Sequence, residues 1–387
     1  MKRFLSFLII IQLLFSGMGS TMAQSRKIDL SLAHEIESSI KLGLRWLVDQ
    51  QEENGSWQDY PAITALVLSA FLRSHPNISI ELIEIARGFD YLKECVQPDG
   101  GIYIQHLPNY NTAISLMAFK DANDPKFKEI IINAEKFLMG MQLTEKHGLT
   151  PDSVNYGGMG YGDKERPDLS NLQWAIEAIA MDDVIEKNPE AILSEEELER
   201  MKRKKLFYDR ALVFLAACQN LEGVNRQPYT LNDGGFMYEP GGSKAGGTRS
   251  YGSMTYAGLK SLIHAKVDRD DKRVHAAFDW LSRHFTVETN PFMGDQGLYY
   301  YYQVMAKTLH AYGQESITDT TGTSYNWRYA LADQLLKNQS AEGFWVNENG
   351  RWWENNPVLV TAYSILALQE VAGLTKLTPN IRRSDIR

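Results

Sequence analysis

Three carboxylates stand where acid–base chemistry would need them. Asp59, Asp168 and Asp295 each come shortly before a long apolar segment. A carboxylate there either caps the helix that follows or, shielded from water, serves as a proton donor or acceptor. Asp168, in Arg-Pro-Asp-Leu-Ser-Asn, reads most simply as a cap, and Asp59 and Asp295 can be read the same way. The loops around them carry Trp57, His106, Tyr161, Asp163, Arg166, Arg249 and Trp353. Tyr299-Tyr300-Tyr301-Tyr302 fills one helical turn, so Tyr299 and Tyr302 share a face, and either that face or its opposite meets the enclosed space. The three aspartates are the candidate catalytic groups. Trp57, His106, Tyr161, Arg166, Arg249, Tyr299, Tyr302 and Trp353 are the candidate cavity or mouth lining. Ser/His/Asp, phosphate-loop, CxxC and HExxH patterns are absent, so the expectation is no cofactor and no metal.

Helices must position these residues. Residues 31–50 show apolar side chains at helical spacing with polar ones between, the mark of a helix wet on one side. Residues 61–72 are apolar nearly all round and so must be covered by protein. The pairing recurs: outer segments 81–96, 126–142, 208–219, 272–285 and 325–338 lead to inner segments 109–120, 169–182, 251–265, 297–312 and 357–371. Residues 183–208 are charged, carry an S-x-x-E box at Ser194 and Glu197, and read as an extra surface helix. The chain is therefore expected to be all-α, with about six helix pairs and no strand alternation.

A repeated turn joins each pair. Trp46-Leu47, Gln51, Gly55 and Trp57 are answered near the C-terminus by Leu335, Gln339, Gly343 and Trp345 with the same gaps. Looser copies read as Tyr91-Leu92 to Gln97, Gly101 and Tyr103 with one residue inserted, and Phe137-Leu138 to Gln142, then Gly158 and Tyr161. Phe214-Leu215 leads to Gln219 and Gly234-Gly235-Phe236, while Trp280-Leu281 has Phe285 in place of Gln. This aromatic–Leu–x3–Gln–x3–Gly–x–Trp pattern resembles the QW repeat of squalene–hopene and oxidosqualene cyclases and, more loosely, of protein prenyltransferase β subunits. The resemblance implies an α/α toroid, with outer helices ringing inner helices around a central cavity, and an isoprenoid as the apolar small molecule held there.

Such cyclases protonate an alkene with a D-x-D-D motif opening an inner helix and hold the cation on aromatic faces. Asp268-Arg269-Asp270-Asp271 is a literal match, but it follows an inner segment and precedes an outer one, so it reads as a solvated turn. Prenyltransferases hold zinc with an Asp-x-Cys pair, and here Lys93 precedes Cys95 and Ala216 precedes Cys218. Both cysteines read as small buried thiols too far apart to bridge. Two readings stand side by side. One is a diverged cyclase or isomerase; the other is a non-catalytic toroid that binds an apolar ligand or an unknown protein. A weaker third is a polysaccharide-acting enzyme, since α/α rings also host glycan chemistry.

Lys2-Arg3, the apolar run from Phe4 to Phe15 and Thr21-Met22-Ala23 read as a secretory signal, residues 1–23, which implies a periplasmic or secreted protein. Residues 24–375 then form one domain and 376–387 a basic tail. Removing Lys2 and Arg3 moves the formal charge from −8 to −10, which argues against nucleic acid as a partner. No membrane span is expected.

Overall fold

The computed structural model describes residues 28–74, 82–162, 165–180 and 194–373. The reading of 1–23 as a signal and 376–387 as a tail lies outside them, as does Asp163. Among the described residues twelve α-helices alternate between an outer and an inner layer. The outer helices are α1 (Leu30–Asp49), α3 (Ile83–Glu94), α5 (Lys128–Gly140), α7 (Glu195–Cys218), α9 (Lys272–Arg283) and α11 (Trp327–Asn338). The inner ones are α2 (Pro61–Ser74), α4 (Pro108–Ala122), α6 (Leu169–Ala180), α8 (Gly252–His264), α10 (Leu298–Tyr312) and α12 (Pro357–Val371). Proline opens α2, α4 and α12, at the position where a missing N–H costs nothing. Each inner helix packs on the next, and α12 packs back on α2, so the ring closes. Gln369 on α12 seals that seam, its amide donating to Ala70 O and Ser74 Oγ, each at 2.7 Å.

The recurring turn explains how the layers are bolted together. Gln51 donates to Gly55 O within its own turn and to Glu84 O on the next outer helix. Gln142 does the same with Gly157 O and Phe207 O, and Gln219 with Gly234 O and Arg273 O. Gln339 bonds Gly343 O and reaches Ser39 O on α1, which joins the last repeat to the first. Trp57 and Trp345 lie fully buried, and their indole N–H groups donate to Leu47 O and Leu335 O.

Two looser repeats fall in a different register from the one read in the sequence. In the second, Gly100 takes the left-handed conformation (φ 88°) against Asn133 O, and Ile102 N–H donates to Thr112 as Trp57 N–H does to Thr64. The spacing is thus kept without insertion: Val96 occupies the Gln slot, and Gly101 and Tyr103 are displaced by one. In the third, Gly157 (φ 80°) abuts Arg210 O, so Gly157 and Met159 hold the places assigned to Gly158 and Tyr161.

Two further differences concern elements. No separate surface helix ends at residue 208: α7 runs unbroken from its Ser194–Glu197 capping box to Cys218, a stretch without Gly or Pro to stop it. A short antiparallel hairpin, β1 (Ser316–Thr318) with β2 (Ser324–Asn326), turns on Asp319, whose carboxylate accepts from Thr321 N–H and Thr323 N–H. Cys95 and Cys218 are both buried and unbridged. No helix among the described residues is long and apolar enough to cross a membrane.

Candidate functional site

All six inner helices begin at one mouth, and each beginning is capped by protein. Asn111 accepts from Ala62 N–H of α2, and Tyr161 O from Asn109 N–H of α4. Asp168 accepts from Asn171 N–H of α6 at 2.8 Å, and Tyr238 O from Leu169 N–H. Asn290 accepts from Ser253 N–H of α8, and Asn356 from Val358 N–H of α12. Glu354 accepts from Tyr299 N–H and Tyr300 N–H of α10 at 3.2 and 2.8 Å, and from Asn347 Nδ2 at 2.7 Å. Most caps come from the following repeat, so the mouth loops hold the ring's upper edge together. The positive helix ends are answered from within.

Below the mouth lies a cavity of about 230 Å³, to which all six inner helices contribute. Its middle is a belt of Tyr110, Trp174, Tyr300 and Tyr363, successive ring centroids 6.2 Å apart, with the Tyr110 and Tyr363 hydroxyls 3.1 Å apart. The rim adds Tyr60, Tyr161, Tyr238, Tyr251, Trp352 and Trp353. Trp352 and Trp353 are 43% and 53% exposed and both left-handed (φ 57° and 65°), a conformation costly for bulky side chains. Trp353 meets Tyr60 edge-on at 5.2 Å, and Trp352 packs on Gly297.

Under the aromatic belt is a charged floor. Glu177 accepts from Lys260 Nζ and Lys307 Nζ, both at 2.5 Å, and the two ammonium groups lie 5.3 and 5.4 Å from the Trp174 ring. Beside them Arg73 pairs with Asp121 at 2.9 Å and with Glu370 at 3.6 Å, and Glu370 also bonds His310. These charges come from the later turns of the inner helices.

The sequence-derived candidates divide sharply. Tyr161 and Trp353 line the cavity. Asp168 does not line it but sits just behind, 3% exposed, hydrogen-bonded to the wall residue Tyr238, whose hydroxyl is 3.5 Å from that of Tyr161. Asp59 and Asp295 are exposed and outside the lining. Trp57 is packed between the layers, and His106 is exposed with its carbonyl accepting from Asn111. Arg166 is an exposed rim group paired with Glu239, and Arg249 lies over Phe292 at 5.7 Å. Tyr299 and Tyr302 pack together away from the cavity, and Tyr302 Oη donates to Val287 O; the face that meets the cavity is that of Tyr300. The D-x-D-D stretch is a turn, with Asp271 capping α9 and Asp270 in solvent. Glu354, the one acidic residue of the lining, was missed, as were Trp174 and Tyr238. For the belt a signal did exist: α4, α6, α10 and α12 each carry an aromatic within their first seven residues. Among the described residues no group of three or more His, Cys, Asp or Glu side chains is placed to hold a metal ion.

Burial pushes the Asp168 carboxyl up to about 6, outweighing its hydrogen bonds to Asn171 and Tyr238. A folded pKa above the unfolded value of 3.8 means stability present below that value and lost as pH rises through about 6. Asp168→Asn keeps a capping side chain and removes the charge. It is expected to stabilise the protein by about 1–3 kcal/mol at pH 8 and to change little at pH 4. Urea unfolding at the two pH values checks this; a variant less stable than wild type at pH 8 would mean that the charge is needed for the cap.

No family model and no curated protein matches this sequence. Solved structures do match over nearly the whole chain. The apo type II terpene cyclase MstE from Scytonema is 13% identical, covers 88% of this chain and 99% of its own, and superimposes with a TM-score of 0.53. A variant of it in complex with geranylgeranyl dihydroxybenzoate as substrate is 12% identical, with 89% and 100% covered and a TM-score of 0.53. A glycosidase variant is 12% identical, with 90% and 99% covered and a TM-score of 0.51. What the chain shares with these proteins is architecture: it is an α/α toroid with a terpene-cyclase-like fold.

Proposed function

We propose that the toroid binds an elongated apolar molecule of isoprenoid type in its central well. The observation that carries this is the lining itself, in which ten of eighteen residues are Tyr or Trp and Glu354 is the single acidic or basic one. Aromatic faces around an apolar well suit a polyene, and ligand sites are mostly such cavities. The likeness to a cyclase fold seen with a geranylgeranyl compound points the same way. Residues 1–23 read as a secretory signal, so the ligand would be met in the periplasm or outside the cell, by a chain beginning at Gln24.

A catalytic version, a diverged cyclase-like isomerase, is favoured by one feature. Asp168 is a buried carboxyl of raised pKa whose hydrogen-bonded partner Tyr238 forms part of the cavity wall. Because Asp168 lies behind the wall, its proton would reach a ligand double bond through the Tyr238 hydroxyl, leaving a cation against aromatic faces, and loss of a neighbouring proton would complete an isomerisation. The glycan reading draws less support, because hydrolysis needs two carboxyl groups facing one another across the substrate and Glu354 stands alone in the lining.

A thermal-shift panel of squalene, farnesyl and geranylgeranyl compounds tests binding. A ligand at about 100 times its dissociation constant adds roughly 2.7 kcal/mol, which for a chain of this length raises Tm by about 3 °C. At least one compound is expected to do so. A flat panel, with no co-purifying lipid in native mass spectrometry, would overturn the proposal. Product analysis of wild type beside Asp168→Asn then separates enzyme from carrier.

A further inference from the structure

We propose that the ligand's head is a quinone-type ring, flat and uncharged, whose carbonyl oxygens are received by tyrosine hydroxyls on opposite walls of the well. This rests on the apolar-ligand reading and deepens it by naming the head-group class. The first ground is Tyr251, the residue just before α8. It lines the well, is 2% exposed, and its hydroxyl has no hydrogen-bond partner among the described residues. That hydroxyl is not sealed in protein, so the little exposure it keeps opens on the well. The groups that act on it electrostatically are Tyr300 and Tyr161 of the lining, Asp168 behind the wall and Arg351 at the rim.

The second ground is a pair of hydroxyls. Tyr110 on α4 and Tyr363 on α12 hold theirs 3.1 Å apart, and neither has another side-chain partner among the described residues. Whichever of the two donates, the proton of the other is left over. α4 and α12 flank α2, and α8 stands opposite α2 in the closed ring. The two spare donors therefore belong to opposite walls. Burial holds all three phenols above their ordinary range, so each keeps its proton at neutral pH. Tyr300 Oη is sealed from the well and is not counted. The third ground is the belt of Tyr110, Trp174, Tyr300 and Tyr363, electron-rich rings on which a flat, electron-poor one can pack. A 1,4-quinone is such a ring. It has an acceptor oxygen at each end and no O–H of its own to leave unpaired, whereas a plain hydrocarbon leaves both donors unused.

The test uses the full chain and one farnesyl tail on three heads: 2-farnesyl-1,4-benzoquinone, farnesylbenzene and farnesyl diphosphate, with affinities from titration calorimetry. One neutral hydrogen bond corresponds to roughly a fivefold gain. The quinone is expected to bind tightest, at least tenfold more tightly than farnesylbenzene. Tyr251→Phe should cut that advantage about fivefold. Tyr363→Phe alone should change it little, because Tyr110 keeps its proton, whereas Tyr110→Phe combined with Tyr363→Phe should cut it about fivefold. Farnesylbenzene should bind all variants within about twofold of wild type. A quinone no tighter than farnesylbenzene, or variants that weaken both alike, would overturn the head-group assignment and leave the apolar-ligand reading standing. Tighter binding of farnesyl diphosphate than of the quinone would do the same, and would place the head on Lys244 and Arg351, which lie over the Tyr238 and Trp352 rings. If no compound binds, both fall. Should the double variant fail to fold, the wild-type series and Tyr251→Phe still decide.

Discussion

Glu177→Gln is expected to lower folding stability by about 3–5 kcal/mol near pH 6, because it strands two buried ammonium groups. Lys260 and Lys307 are 1% and 7% exposed at their side chains, and each is bonded to one Glu177 oxygen at 2.5 Å. Both lysines hold the Glu177 carboxyl well below its usual range despite burial, so its contribution is present above pH 4.5 and lost as pH falls further. Burial lowers Lys260 to about 8, below its ordinary 10.5, even with Glu177 in place. Without that carboxylate it must fall lower still. The gap between wild type and variant should therefore be widest near pH 6 and narrow toward pH 10, where Lys260 sheds its proton in both. Removing all three charges together, as E177L with K260M and K307M, is expected to be close to neutral, since no ion is then left unpaired. Urea unfolding across pH 5–10 reads all of this. Equal stability of Glu177→Gln and wild type at pH 6 would show that the lysines are satisfied elsewhere.

The floor shows why the fold was legible in the sequence and much of the site was not. Inner helices announce themselves by being apolar nearly all round, and for that reason they carry no polar face to say which side meets the axis. Tyr299 and Tyr302 were equivalent to Tyr300 on that evidence, and only the ring geometry selects Tyr300. Asp168 could be read as a cap because its partner, Asn171, is three residues away. Its burial behind Tyr238 depends on a loop some seventy residues downstream. Glu354 caps a helix that begins more than fifty residues earlier, a pairing no local pattern announces. The looser repeats were misplaced for a related reason. Residue type favoured Gln97 and Tyr103, whereas the packing demands only a left-handed glycine at a fixed distance, and Val96 is tolerated where Gln stands elsewhere.

That demand makes Gly157→Ala the second large effect expected. Gly157 has φ 80°, and a Cβ there would lie 1.8 Å from the carbonyl oxygen of Arg210 on α7. Its own N–H and carbonyl are tied to Leu143 O and Gln142 Nε2, so the turn cannot back away without breaking the bolt between layers. The left-handed conformation costs a non-glycine residue about 1–2 kcal/mol, and overpacking adds about 1–3 kcal/mol. A loss of roughly 3 kcal/mol is therefore expected, about 4 °C in Tm for a chain of this size. Gly148 is the control. It shares the conformation, with φ 74°, but has nothing within 4 Å of where its Cβ would be. Gly148→Ala should thus show the conformational part alone, about 1 kcal/mol. The two variants measured side by side by urea unfolding separate strain in the chain from the approach of turn to helix. Equal losses would mean that the glycine serves only its own backbone, and that the spacing of the repeat is not set by contact with the next outer helix.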